Sequence, residues 1–299
     1  MKSILYSNKS YGGAEIYVRK LRNDFNIDFY SIKSYNFFKL IHVCFFEKSI
    51  VFHDVRAALF KFTRPFKNDK IVIHGPGKNP RLIKVIVILL SFTNCEIIMV
   101  SKDLFSKFNG SKKIILLENS SNFDNINLKL NSFDFIYFGR LEPSKGCDIL
   151  IDFWINKKIN KNLHIIGDGS LYNKYKNKTN LNVILHGPLE QSEIKKIIEN
   201  SCAYYISLSF REGLSLSLLE ALSSGLIPIV ANIPSQKFIS KKYGFKLIEE
   251  NLSNLEDLIN NNLSHVKIKA KCEETKFLYK NNNTNDEFKK YWRKALIQL

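Results

Sequence analysis

Short apolar runs alternate with amphipathic segments along almost the whole chain. The first run is Ser3–Tyr6, followed by a glycine turn at Gly12-Gly13 and a helical pattern over Ala14–Asp24 with Ile16, Val18 and Leu21 apolar. Further strand patterns are IDFYSI (Ile27–Ile32), SIVFH (Ser49–His53), KIVIHG (Lys70–Gly75) and EIIMVS (Glu96–Ser101), with helical segments between several of them. Strands alternating with helices predict a parallel sheet covered on both faces.

The texture changes over Leu117–Asn131, where ENSSNFDNINLKLN is polar and rich in asparagine, as an interdomain linker is. A second alternating series follows. Its strands are FDFIYFG (Phe133–Gly139), NLHIIGDG (Asn162–Gly169), NVILHG (Asn182–Gly187), CAYYISLS (Cys202–Ser209) and IPIVAN (Ile227–Asn232). The helices between them are Gly146–Trp154, Gln191–Asn200 and Ser215–Ser224. The tail, 286–299, reads as a final amphipathic helix carrying Phe288, Tyr291, Trp292 and Leu296. The pattern therefore predicts an α/β chain of two Rossmann-like, doubly wound domains, 1–125 and 126–285. The tail helix is expected to pack back towards the first. Ligands of such sheets bind outside the carboxyl ends of the strands, so chemistry is expected in strand-to-helix loops facing a cleft.

Composition narrows the class. With 45% hydrophobic and 24% charged residues in 299, the chain is an ordinary globular protein. Its five cysteines are scattered singly with no CxxC pair, and its six histidines have no ligand spacing, so no metal site is expected. The start MKSILYSNKSYGG is too short an apolar run for a secretory signal. LIKVIVILLSF (Leu82–Phe92) falls well short of the roughly 20 residues that span a bilayer. A cytoplasmic protein is expected. The net charge of +17 attracts polyanions. No helix-turn-helix, RNP or zinc-finger pattern accompanies it, which speaks against nucleic acid. Much of the lysine travels with asparagine and isoleucine, as in AT-rich coding sequence, so the charge alone does not choose a partner.

Three loops carry candidate chemistry. YFGRLEPSKG (Tyr137–Gly146) brackets a strand-to-helix turn with Arg140 and Lys145, and an arginine fork with a lysine point charge suits a diphosphate. Two solvated surface cations would look the same. IIGDGS (Ile165–Ser170) has GxG after a strand but lacks the third glycine of a dinucleotide fingerprint, so an ordinary turn explains it equally. The third loop opens REGLSLSLLEALSSG (Arg211–Gly225), where Glu212 precedes a helix capped by Ser215 and Glu220 lies along it. The amides of Gly213, Leu214 and Ser215 would form an anion-attracting helix start. Eight helical residues rise about 12 Å, too far for the close acid pair of a retaining glycosidase but suited to a long ligand such as a nucleotide sugar.

These residues resemble glycosyltransferase family 4, the retaining group of GT-B fold within the glycosyl transferases group 1. REGLSLSLLEALSSGLIPIV looks like its E-x7-E motif, GRLEPSKG its GRL-x3-KG element, and SYGGAEIYVRKL its GGAE helix start. The resemblance implies roles. Arg140 and Lys145 would bind the donor diphosphate, and Glu212 would face the donor sugar. Gly213, Leu214 and Ser215 would offer amides, and Glu220 would accept from the ribose. Gly12 and Gly13 would approach the phosphates, and His74 would be the cleft histidine, with His53 in VFHDVR a competing candidate. Charge on the leaving diphosphate would be met by these cations and amides. No DxD-type motif is present, so neither metal nor other cofactor is expected.

The sequence departs from the family in a short first domain, in Asn119-Ser120 for the usual Asn-Gly, and in NIPSQKF (Asn232–Phe238) for the Gly-Gly and acid after the second glutamate. The last puts donor identity in question. Members of this size extend bacterial surface polysaccharides on lipid-diphosphate carriers. FFKLIHVCFFEK (Phe37–Lys48) and ALFKFTRPFKNDK (Ala58–Lys70) mix rings with cations, as a peripheral contact with an anionic inner leaflet would, and as core aromatics with solvated lysines would too. The resemblance implies a saccharide acceptor, lipid-linked, of O-antigen or capsule type. A GT-B sugar-nucleotide epimerase and a non-catalytic nucleotide-sugar binding protein are the competing readings.

Overall fold

The computed structural model describes the 299 residues apart from 6–12, 34–36, 76–78, 101, 109–112, 120, 122, 124–125, 179–181, 213, 250–251, 261–262, 283–284 and 298–299. Gly12 and Gly213 lie outside the described residues. The chain forms two compact units, Met1–Ser120 with Thr284–Leu299, and Ser121–Asn283.

The first unit runs β1 (Lys2–Leu5), α1 (Gly13–Phe25), β2 (Phe29–Ser31), α2 (Phe37–Phe46), β3 (Ile50–His53), α3 (Asp54–Ala58), a 3-10 turn (Leu59–Thr63), β4 (Asp69–Ile73), α4 (Pro80–Ser91), β5 (Cys95–Met99), α5 (Lys102–Ser106) and β6 (Ile114–Leu116). Its six strands pair in parallel in the order β2-β1-β3-β4-β5-β6. The register pairs Ile4 with Phe52 and Val72 with Ile98, so β-branched and aromatic side chains stack along each face. One face packs against α2, α3 and α4 through Ile4, Leu40, Phe52, Ala57, Ile71, Val87 and Leu90.

A buried charge cluster ties this layer together. The Asp69 carboxylate accepts from Lys61 Nζ and Arg64 Nε, both at 3.0 Å, and from the Ile50 amide at 2.8 Å. Lys61 also donates to the Arg64 and Lys67 carbonyls. Arg64 donates to the carbonyls of Cys44 and Glu47 at the end of α2. Each buried charge thus has both a counter-ion and hydrogen bonds, the condition under which burial is tolerated.

The second unit runs β7 (Asp134–Phe138), a 3-10 turn (Pro143–Lys145), α6 (Cys147–Asn156), β8 (Leu163–Ile166), α7 (Tyr172–Tyr175), β9 (Val183–Gly187), α8 (Gln191–Ser201), β10 (Cys202–Ser207), α9 (Leu216–Ser224), β11 (Ile227–Ala231), α10 (Pro234–Tyr243), β12 (Leu247–Ile248), α11 (Leu255–Asn260) and α12 (His265–Asn281). Its parallel order is β12-β11-β10-β7-β8-β9. Phe135 stacks on Tyr204 at 4.7 Å and meets Trp154 at 5.1 Å in the middle of the core.

The last helix, α13 (Asn285–Ile297), belongs to the first unit. Phe288 and Trp292, four residues apart, are fully buried, and Tyr17 of α1 meets both rings edge-on. Trp292 Nε1 donates to the Tyr17 hydroxyl at 3.1 Å. Fully burying a side chain such as Phe288 is worth roughly 1.5–3 kcal/mol, enough to hold the helix down. Among the described residues no helix is long and apolar enough to cross a membrane.

Candidate functional site

In the second sheet the strand order reverses between β7 and β10. β8 and β9 extend to one side of β7, while β11 and β12 extend beyond β10 on the other. Crossovers leave this point in opposite directions, opening a crevice at the carboxyl ends of β7 and β10, where doubly wound sheets bind ligands. The loops leaving these two strands are GRLEPSKG and the Ser209–Ser215 segment.

The chain brings those loops together by backbone contact. Gly146 has φ 62°, and a Cβ there would lie 2.2 Å from the Leu208 carbonyl oxygen, so only glycine lets the turn seat against the end of β10. The Phe210 amide donates to the Ser144 carbonyl at 3.2 Å. On the other side, a Cβ on Gly167 would lie 1.8 Å from the Gly139 carbonyl, which packs the GDGS turn against GRLE. The GxG of IIGDGS is thus a packing device within this crevice.

Lys145 and Glu212, 67 residues apart, meet as a result. Lys145 Nζ donates to Glu212 Oε1 at 2.5 Å, and Ser209 Oγ donates to the same oxygen at 3.0 Å. Both charged side chains are partly buried, which strengthens the pair relative to one in water. Arg140 is half-buried, and its side chain makes no hydrogen bond or ion pair to another described residue. Its carbonyl accepts from the Tyr137 hydroxyl at 2.8 Å, fixing the start of the loop.

The helix after Glu212 starts at Leu216, later than the sequence pattern suggested, with Ser215 as N-cap; its Oγ accepts from the Leu218 amide at 3.4 Å. Only Glu220 therefore rides on the helix, and the 12 Å rise for a fully helical spacing does not apply. Leu214 is half-buried beside the cap. The first-turn amides of Leu216 and Ser217 have no intrahelical acceptor. Ser217 Oγ bonds the Tyr205 hydroxyl at 2.8 Å and Ser215 Oγ at 3.0 Å, anchoring the helix start to β10. Apart from Ser217, every residue of α9 is buried, Glu220 included. The Glu220 carboxyl makes no hydrogen bond or ion pair to a described residue, and burial pushes its pKa up to about 8, Lys195 acting against the rise. An unpartnered neutral carboxyl can both donate and accept, which matches a vicinal diol.

In the first unit the strand order reverses between β1 and β3. His53 closes β3, and His74 follows β4 directly. The two candidate histidines prove to be partners: His53 Nδ1 and His74 Nε2 share a hydrogen bond of 3.1 Å, with the rings stacked at 5.4 Å. His53 Nε2 faces Ser3 Oγ at 3.4 Å, and Tyr17 sets its ring edge-on to both imidazoles. His53 is fully buried; His74 keeps partial exposure, with Nδ1 buried and unpartnered. Burial drives His53 well below the usual histidine range and His74 down to about 3, so both rings are neutral at physiological pH. Asp54, next to His53, holds φ 73°, a left-handed conformation at which side chains are uncommon. Gly13 opens α1.

The sequence reading missed Ser209, Tyr205 and Ser217, the groups that fix Glu212 and the helix cap. Their signal was faint: hydroxyls at a strand end and two residues past an N-cap. Among the described residues no three of histidine, cysteine, aspartate and glutamate converge as metal ligands would.

Comparison with known proteins gives this crevice a family. The structure is similar to Anabaena HepE in complex with UDP-glucose, with TM-score 0.77 and 14% identity over 100% of both chains. It is similar to the lipopolysaccharide outer core galactosyltransferase WaaB, with TM-score 0.59 and 17% identity over 96% of this chain and 99% of that one. It is also similar to TarM, with TM-score 0.65 and 20% identity over 82% of this chain; the match spans about half, 54%, of the TarM chain. At these identities the likeness speaks to the fold, which is of the GT-B type. No curated protein sequence matches the chain. The model of the glycosyl transferases group 1 family matches residues 118–296, more than half of the sequence and all of the crevice just described, and the chain belongs to that family.

Proposed function

We propose that the chain is a retaining glycosyltransferase of family 4. It moves a sugar from a UDP- or GDP-linked donor to a saccharide acceptor, a lipid-diphosphate-linked intermediate of a bacterial surface polysaccharide. The observation that carries this reading is the Lys145–Glu212 pair at the strand-order reversal, with Arg140 in the same loop as Lys145 and α9 following Glu212. HepE is described with UDP-glucose and WaaB as a galactosyltransferase, which favours a nucleotide sugar over other phosphorylated ligands.

In this reading the donor diphosphate takes the cations. Arg140 makes no side-chain hydrogen bond or ion pair to another described residue and Lys145 is held by Glu212, so the phosphates complete a site whose charges are already oriented. As the sugar–phosphate bond breaks, the anomeric carbon becomes oxocarbenium-like and negative charge grows on the leaving nucleoside diphosphate. Arg140, Lys145 and the free amides of α9 stabilise that charge without reorganising, and no metal is invoked. Glu212 faces the sugar, its carboxylate held by Lys145 and Ser209. Glu220 receives the ribose hydroxyls. Work on a lipid-linked acceptor places the protein at the inner face of the cytoplasmic membrane.

Transfer is tested by incubating the chain with UDP- and GDP-sugars and saccharide acceptors, with binding measured separately. Glu212→Gln should keep donor binding within about tenfold and lose transfer by roughly 10²–10³. Donor turnover to an isomeric nucleotide sugar with no acceptor present would replace the reading with an epimerase.

A further inference from the structure

We propose that a cavity at the amino-terminal ends of β7, β8 and β9 in the second unit is an accessory site for a neutral saccharide. This rests on the reading above for the source of that saccharide, the glycan being extended. The cavity itself lies at the opposite end of the sheet from the crevice.

The cavity measures about 440 Å³. Its floor is Asp134, Tyr204 and Ile268, all buried, and its rim is Asn160, Lys161 and His265. Asn162 and Asn182 stand just before β8 and β9, and strand pairing fixes them there. The Asn162 carbonyl accepts from the Phe135 amide at 2.9 Å, and the Asn182 carbonyl from the Leu163 amide at 2.7 Å. Strand β7 starts at Asp134 and delivers GRLEPSKG at its other end. Its five residues put roughly 15 Å between the cavity and the crevice, so a ligand in one leaves the other open.

The fold uses some of these polar groups and leaves others over. Asn182 Nδ2 donates to the Ile159 carbonyl at 3.0 Å, and Lys161 Nζ to the Ile259 carbonyl at 2.8 Å, which ties down the loops around the opening. Lys161 keeps two further protons. No carboxylate among the described residues pairs with it, and burial lowers its pKa. Asn160 is exposed, and its side chain bonds no described residue. His265 meets the Phe133 ring edge-on at 4.4 Å, and its ring nitrogens bond no described residue. A half-buried ammonium, an amide and an imidazole thus share one opening with hydrogen-bonding capacity that the unit does not consume.

Charge narrows the occupant. Burial works against ionisation of Asp134, but hydrogen bonds from His164, Ser132 and Asn162 outweigh it and hold the carboxyl below its ordinary value. His164 Nε2 lies 3.2 Å from Asp134 Oδ2, and His186 Nε2 lies 2.9 Å from His164 Nδ1, so the carboxylate is anchored from behind. A carboxylate on the floor and an ammonium on the rim leave the cavity no net charge with which to hold an anion or a cation. One acid is also too few for a metal ion. A neutral molecule rich in donors and acceptors remains. Three asparagine amides, an ammonium and a carboxylate supply both kinds of partner, while Phe133, Leu263 and Ile268 give an apolar wall. A pyranose is divided in the same way, with hydroxyls at its edge and C–H groups on its face. The volume falls in the range of small-molecule sites, about 300–1,000 Å³.

The test is saturation-transfer NMR of the purified chain with maltotriose, chitotriose and lactose, and with uridine as a control. At least one oligosaccharide should receive saturation. Asn160→Ala combined with His265→Ala, both at exposed positions, should weaken its binding at least fivefold. Lys145→Met and an excess of UDP should leave it unchanged. The same samples are heated with UDP- and GDP-sugars. Lost saccharide binding with intact donor stabilisation in the double variant locates the accessory site; absence of donor stabilisation in every sample strikes the glycosyltransferase reading and leaves the cavity standing. Failure of all three oligosaccharides to bind the wild type would overturn the inference. So would equal binding by the double variant, or displacement by UDP, which would place the saccharide in the crevice. Stronger saturation of uridine that depends on the same two residues would overturn it too, making the cavity a nucleoside site.

Discussion

Replacing Glu220 by glutamine should remove the loss of stability that this carboxyl causes as pH rises. In the folded chain burial holds this carboxyl at a pKa of about 8, while the ordinary value is 4.5. The full separation, 3.5 units at 1.36 kcal/mol each, bounds the effect at about 5 kcal/mol. Because the folded value is the higher one, the folded state keeps a proton that the unfolded state has released. Stability therefore falls as pH rises from about 4.5 through 8 and levels off above. Between pH 6 and pH 9 the loss amounts to about 3 kcal/mol, which glutamine, having no proton to lose, escapes. For a unit of this size that corresponds to roughly 6–12 °C in Tm. The assay is thermal or urea unfolding of wild type and Glu220→Gln across that pH range, where other titrating groups cancel in the comparison. The difference between the two proteins should grow steadily in favour of glutamine as pH rises. A difference that stays flat between pH 6 and pH 9 would refute the idea of a neutral buried carboxyl awaiting a ligand.

The other expectations concern the loops and the histidine pair. Lys145→Met leaves a half-buried Glu212 without its cation and should lower donor affinity and transfer together, each at least tenfold, as read by calorimetry and a coupled release assay; unchanged donor binding would remove Lys145 from the site. Gly146→Ala forces a Cβ against the Leu208 carbonyl at a left-handed φ, and should cost about 3 kcal/mol or more in urea unfolding. His74 should remain neutral down to about pH 4, so nitrogen chemical shifts of labelled imidazole should show no titration near pH 6.5, and His53→Asn should alter its tautomer signal while leaving Tm within a few degrees. An ordinary titration at pH 6.5 would show a solvated ring instead.

The sheets were the most legible part of the sequence. IVFH, KIVI and EIIM in the first unit and FIYF, HII and YYIS in the second are strands buried on both faces, and these read as continuous apolar runs whatever surrounds them. The short edge strands β6 and β12 were not legible, since three and two residues acquire strand geometry only from the neighbour they pair with. Helix α12 escaped for another reason: its core positions are Ile268, Cys272, Thr275 and Tyr279, a row too mixed in polarity to mark a face. Helix α2 was read only as rings beside cations, because its outward side is as apolar as its inward one. At the site, the sequence pointed to Lys145 and Glu212 separately, each in a strand-to-helix loop. Their contact depends on sheet order and on the absence of a Cβ at Gly146, neither of which a linear pattern contains. His53 and His74 looked like rivals for one role, since spacing along the chain says nothing of adjacent strands. That β3 and β4 are neighbours makes them a pair.

The central claim is that the crevice at the carboxyl ends of β7 and β10 receives a nucleotide sugar. Its most direct test is a thermal-shift screen of the intact chain against UDP- and GDP-sugars, repeated with Lys145→Met. One donor should raise Tm of the wild type in a concentration-dependent way, with a free-energy gain of about 2.7 kcal/mol at a hundredfold excess over Kd, and the variant should require at least tenfold more of it. Failure of every UDP- and GDP-sugar to stabilise the wild type, or equal stabilisation of both proteins, would contradict the account.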